Sequence, residues 1–142
     1  MEVDRNGLEV LDREECLRLL TTTTLGRIGM TTAALPTILP VNFRFDGERI
    51  LIRTGAGTKL DAATLDQVVA FEVDQMDEVY HAGWSVVVTG LASRLPPVDI
   101  DRHLSDWPLP RWAPVDAAQV MSIEPALVSG RRLNRFQPAP LR

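Results

Sequence analysis

A small β-barrel with a few helices packed outside it is the fold this sequence predicts, and three observations predict it. Six or seven short runs rich in β-branched and aromatic residues are separated by turn signals. Only two or three short segments carry helical caps or periodicity. The chain has 142 residues, the length of one domain, and can bury roughly two-thirds of its unfolded surface. The class is mainly β within α+β, a single domain over 1–142.

Residues 1–10 read as a loose lead-in. Asp12 then opens a capping box with Glu15, flanked by Leu11 and Cys16 at the staple positions. Leu17, Leu19 and Leu20 supply an apolar stripe, and Glu14 with Arg18 forms an i,i+4 pair. Four threonines, Thr21–Thr24, end the helix because β-branched residues favour extended backbone. A strand over 25–31 and a turn at Ala33–Pro36 lead into a hairpin. Its runs, Ile38–Phe45 and Arg49–Thr54, flank Asp46-Gly47, where glycine accepts the positive φ that a tight turn needs. Pro40 inside the first run implies an edge or bulge with backbone groups left for a ligand. A helix over 59–65, a short strand over 68–73 and an acidic loop over 74–83 follow. The longest strand signal is Trp84–Leu95, bent at Gly90. Asp99 caps a short helix, and 107–114 is irregular and proline-rich. A last strand, 119–129, is broken at Pro125, and the basic, proline-containing tail GRRLNRFQPAPLR (130–142) follows, its 134–142 end closing the chain.

The hairpin's second run opens into Gly55-Ala56-Gly57-Thr58-Lys59. Two glycines let backbone close on a ligand, Thr58 caps the next helix, and free N–H groups at a helix start attract anions. Lys59 is the chain's only lysine against 14 arginines, which suggests a place for a compact charge. The chemistry is that of a phosphate corner. It is not a P-loop, because the four-residue span of GxxxxGK[ST] is missing.

Net charge of −4 and a pI near 5.1 argue against nucleic-acid or anionic-membrane partners. No apolar run approaches the roughly 18 residues of a membrane span. One cysteine, Cys16, excludes an internal disulfide and fits a reducing cytoplasm; at an apolar helix position it reads as a buried thiol. His81 and His103 are the only histidines, so no metal set forms at useful spacing. No GxSxG elbow exists. Glu72, Asp74, Asp77 and Glu78 read as a solvated acidic face, and His81 as a polar loop residue. Trp84 reads as core, with cover for a planar ligand as the alternative. Arg131, Arg132 and Arg135 read as a solvated tail.

Six segments in order carry a resemblance: LGRIGM (25–30), PVNFRFDG (40–47), IRTGAGTKLDAA (52–63), VAFEVD (69–74), GWSVVVTGLA (83–92) and SGRRL (129–133). The pattern resembles the pyridoxamine 5′-phosphate oxidase-like family of flavin-binding split barrels, over about 11–133. The resemblance implies a six-stranded Greek-key split β-barrel with a few short peripheral helices. It also implies a homodimer with flavin mononucleotide (FMN) at the subunit interface. Arg53, Thr54, Thr58 and Lys59 match the family's phosphate clamp. Pro40, Val41, Asn42 and Phe43 match the run that lies along the isoalloxazine ring, largely through backbone groups. Ser85 matches a polar position near the flavin, with Trp84 beside it. Authentic pyridoxamine phosphate oxidases are longer and carry Arg-Leu-x-Pro near the C-terminus. Here Arg132-Leu133-Asn134-Arg135 lacks the proline, so vitamin B6 oxidation is not implied.

The resulting expectation is a cytoplasmic FMN-dependent oxidoreductase acting on a small-molecule substrate, without a side chain assigned to acid/base catalysis. The alternatives are a deazaflavin-dependent reductase on the same site and a non-catalytic flavin-binding or storage protein. The second substrate's pocket is expected from loop residues around 77–83, 107–114 and the tail.

Overall fold

The structure, a computed structural model, describes residues 1–54, 60, 64–96, 98–99 and 119–133. Its elements in chain order are β1 (Glu9–Leu11), α1 (Arg13–Leu20), β2 (Leu25–Thr32), β3 (Leu35–Phe45), β4 (Ile50–Thr54), β5 (Val68–Asp77), β6 (Ala82–Arg94), β7 (Gln119–Ile123) and β8 (Leu127–Leu133). Antiparallel pairing runs β6-β5-β2-β3-β4-β7, and β7 pairs back onto β6. Six strands thus close a barrel. The connection from β4 to β5 passes two strands, as a Greek key requires.

Alternation along each strand fills the barrel. Ile28, Phe43, Ile52, Phe71, Val73, Val86, Val88 and Ile123 point inward and are fully buried or nearly so. Phe43 and Phe71 meet edge to face, with ring centres 4.8 Å apart and planes at 72°. β6 is the strand that serves two sheets. Its first half, Gly83–Thr89, pairs with β8, and its last residues, Ala92–Arg94, pair with β7. Gly90 stands at the changeover, where a Cβ would lie 2.0 Å from the Glu124 carbonyl oxygen. The glycine singled out in the sequence falls where β6 changes partners and two backbones touch.

Several local expectations are corrected. The lead-in is ordered at its end: β1 pairs with β8 through Glu9↔Arg132 and Leu11↔Gly130. The Asp12 cap holds, its Oδ1 accepting the Glu15 N–H at 2.8 Å. Glu15, not Glu14, takes Arg18, at 2.6 Å. Glu15 therefore does not reach back to close the box; its carboxylate also accepts from Arg132 at 2.7 Å. The turn into β3 is Ala33-Ala34 alone, both at positive φ (49° and 64°), so β3 begins at Leu35. The Asp46 N–H donates to the Arg49 carbonyl at 3.1 Å, which centres the next turn on Gly47-Glu48, one residue later than expected. Gly47 carries its positive φ of 100°. The acidic loop is strand as far as Asp77, and the supposed tail is strand through Leu133. Leu60 and Thr64 are helical, and so are Val98 and Asp99, which puts Asp99 inside the helix it was expected to cap; residues 59, 61–63, 100–114 and 134–142 lie outside the described residues. Among the described residues no helix is long and apolar enough to cross a membrane.

Candidate functional site

The two edges of β3 differ, and the difference defines the site. The Phe43 N–H donates to the Thr24 carbonyl at 2.9 Å, and the register to β2 continues unbroken from Leu25↔Asn42 to Thr32↔Leu35. Antiparallel alternation therefore turns the backbone groups of Leu35, Thr37, Leu39 and Val41 toward β2. Those of Pro36, Ile38 and Pro40 turn the other way. On that side β4 begins pairing only at Phe43↔Ile52. From Pro36 to Pro40 the outer edge of β3 faces no described strand. Both prolines sit where a missing N–H costs the β2–β3 ladder nothing.

Side chains of the same run divide between core and surface. Val41 and Phe43 turn inward, Phe43 only 1% exposed, so neither ring nor methyls can meet a ligand outside. Pro40 and Asn42 are exposed on the outer face. Arg53 follows one residue past Ile52 and, by alternation, shares that outer face in a half-buried position. Burial pushes its guanidinium below the ordinary arginine pKa. Thr54 turns inward, buried, beside its partner Gln119. The structure thus groups Pro40, Asn42 and Arg53 and leaves the Thr54 side chain out. Thr58 and Lys59 lie outside the described residues.

Ser85 also faces outward, paired with Asp74 and Arg131. It stands on β6, three strands from β3, roughly 14 Å at normal strand spacing. One protomer therefore does not bring Ser85 to Asn42. Trp84 points inward and packs against the core. It lines a separate cavity of 670 Å³ with Met76, Gly83, Arg132 and Leu133, at the β5–β6 hairpin where a second-substrate pocket was expected.

Two groupings were not expected. Arg131 and Arg132 are not a solvated tail: Arg131 Nε meets Asp4 Oδ2 at 3.0 Å, and Arg132 meets Glu9 at 3.3 Å and Glu15 at 2.7 Å. These pairs hold the Glu15 carboxyl down at about 2, through its bonds to Arg18 first and Arg132 second. The other grouping is Arg27, Glu72 and Asp74, which rim a 410 Å³ groove floored by Gly29, Ile38 and Ala70. Arg27 Nη1 lies 3.3 Å from Asp74 and 3.8 Å from Glu72. Burial, followed by the hydrogen bond and charge of Asp74, pushes Glu72 up to about 7. The signal available in the sequence was Glu-x-Asp within a strand run, a spacing that puts both carboxyls on one face.

Known proteins resemble this chain over almost all of its length. The uncharacterized protein Rv0080 of Mycobacterium tuberculosis (strain ATCC 25618 / H37Rv) is 39% identical over 129 residues, 87% of this chain and 84% of its own. A solved structure from Corynebacterium glutamicum is 31% identical with a TM-score of 0.75, covering 89% of this chain and 98% of its own. The FAD binding protein from Mycobacterium smegmatis is 30% identical with a TM-score of 0.69, covering 89% and 99%. The family model described as pyridoxamine 5′-phosphate oxidase matches residues 12–132. With the six-stranded barrel and the open β3 edge in place, that match makes this chain a member of the pyridoxamine 5′-phosphate oxidase family.

Proposed function

We propose that this protein is a flavin-dependent oxidoreductase that holds FMN along the open edge of β3, with the phosphate toward Arg53, Thr58 and Lys59. The observation that carries the reading is the stretch Pro36–Pro40, whose outward backbone groups meet no described strand, ending beside a half-buried arginine. A planar heterocycle with a polar rim and a terminal phosphate fits that arrangement: backbone groups for the rim, a cation for the phosphate. When bound, the flavin supplies the redox chemistry, and the protein supplies binding, orientation and exclusion of water. The small-molecule substrate then needs no acid/base dyad from this chain.

The same reading makes the protein a homodimer. The outer face of β3, β2, β5, β6 and β8 carries Val68 and Ile38, 68% and 71% exposed, together with Val87, Leu91 and Leu127. Apolar side chains in such a row ask for cover, and a second copy would bring its own Ser85 toward the first copy's β3 edge. A single buried cysteine suits a cytoplasmic setting.

FAD is the second reading of the cofactor, favoured by the 30% identity to the FAD binding protein of Mycobacterium smegmatis; a deazaflavin reductase or a storage role uses the same edge. The test is mass spectrometry of cofactor extracted from the purified yellow protein, with turnover measured on NADPH, reduced deazaflavin and a panel of electron acceptors. FMN with turnover is the expected result. Protein that takes up neither FMN nor FAD on reconstitution overturns the proposal.

A further inference from the structure

On the face offered to a second copy, the neutral polar groups Ser85, Thr89 and Ser129 and the Arg131–Asp4 pair on β8 interrupt the apolar row, and two carboxyls stand together at one place, the Arg27, Glu72 and Asp74 cluster. Glu72 and Asp74 project side by side from β5, and one Oε1 of Glu72 is enclosed without a hydrogen-bond partner. Of the elements around them, β2 contributes the one cation, Arg27. β3 offers Ile38 and Pro40, and β6 offers Val87 and Ser85, so neither brings a charge. With both carboxyls ionised the cluster carries one net negative charge. An isologous contact doubles it, because the same patch is contributed twice.

We infer that self-association through this face takes up protons at the Glu72–Asp74 carboxyl pair, so that mild acid tightens the dimer and mild base loosens it. The inference rests on the dimer proposed above. Closing a second copy over the groove removes water from a carboxyl that is already half-buried, and desolvation disfavours its ionised form. The monomer's own Glu72 sits at about 7. The dimer therefore binds more protons than two monomers do just above neutrality, and its stability falls with pH in that range. Neutral Glu72 also donates a hydrogen bond to Asp74, which leaves Arg27 a single anion to balance.

Sedimentation of the full chain with fluorescence detection, from nanomolar to micromolar at pH 6, 7 and 8, tests the linkage. The dimer dissociation constant should rise about 10- to 100-fold from pH 6 to pH 8, one to two protons per dimer. Glu72→Gln should flatten the dependence and hold the dimer tight at pH 8. Asp74→Asn should move the midpoint to lower pH, because it removes the neighbour that raises Glu72. A wild-type dimer of constant strength across this range overturns the linkage and leaves the dimer standing. So does a dimer that tightens with pH, since a partner's cation would then be neutralising Glu72. A monomer at every pH overturns both.

Discussion

At the scale of single residues, the proposed site asks Arg53 and Lys59 to share the phosphate unequally. Arg53 is fixed by a strand and half-buried, whereas Lys59 is the chain's only lysine. Loss of one charge-assisted contact costs about 1.5–3 kcal/mol, so Lys59→Ala should raise the FMN dissociation constant roughly 10- to 150-fold. Lys59→Arg should also weaken binding, because a planar fork does not replace a compact ammonium. Riboflavin, which lacks the phosphate, should be almost indifferent to both changes. Fluorescence-quenching titrations of the three proteins with both ligands check this; equal losses for FMN and riboflavin would place Lys59 elsewhere. At 40–43 the alternation itself was legible in the sequence: Val41 and Phe43 turn toward the core, Pro40 and Asn42 away from it. Glu72 was legible only in part: Glu-x-Asp puts the two carboxyls on one face, but the burial that chiefly raises Glu72 comes from neighbouring strands that only the folded sheet supplies.

Among the elements, the β2–β3 hairpin carries an avoidable cost. A two-residue turn with positive φ at both centres suits Asn-Gly, yet here it is Ala33-Ala34. Alanine resists that region by about 1 kcal/mol or more per residue. Ala33→Asn with Ala34→Gly should stabilise the protein by about 1–2 kcal/mol, a rise of roughly 3–8 °C in Tm by calorimetry. An unchanged or lower Tm would mean that the tip is held by something the hairpin itself does not contain. The same hairpin shows why elements were legible to different degrees. Gly47 and Gly90 announced a turn and a bend through chemistry that few other residues share. The turn at Ala33-Ala34 was placed only loosely, within 33–36, because alanine has no turn preference of its own. β1 and the end of β8 escaped notice for another reason: Glu9 and Arg132 are 123 residues apart, and short charged runs look like tails until their partners are known.

On the scale of the whole molecule, the outer sheet face should tie assembly to cofactor retention. Val68→Asp puts a charge at a position 68% exposed in the single chain, so the fold should tolerate it. The apolar burial lost is about 1.5–3 kcal/mol per copy, and the dimer should weaken by at least about 100-fold. Flavin content measured by absorbance across the same dilution series should fall in parallel. A variant that is monomeric yet keeps its flavin would confine the site to one subunit. The barrel's closing strand has a consequence for biosynthesis. β7 joins β4 through Ile50↔Ile123 and β6 through Ala92↔Ile123, so both seams wait for one five-residue segment late in the chain. Until the ribosome has released Gln119–Ile123, five residues of β4 and three of β6 wait for the strand that covers them, each margin a template for a neighbouring chain. Aggregation during translation, rather than unfolding of the finished barrel, is therefore the step at which a chaperone would matter to this protein.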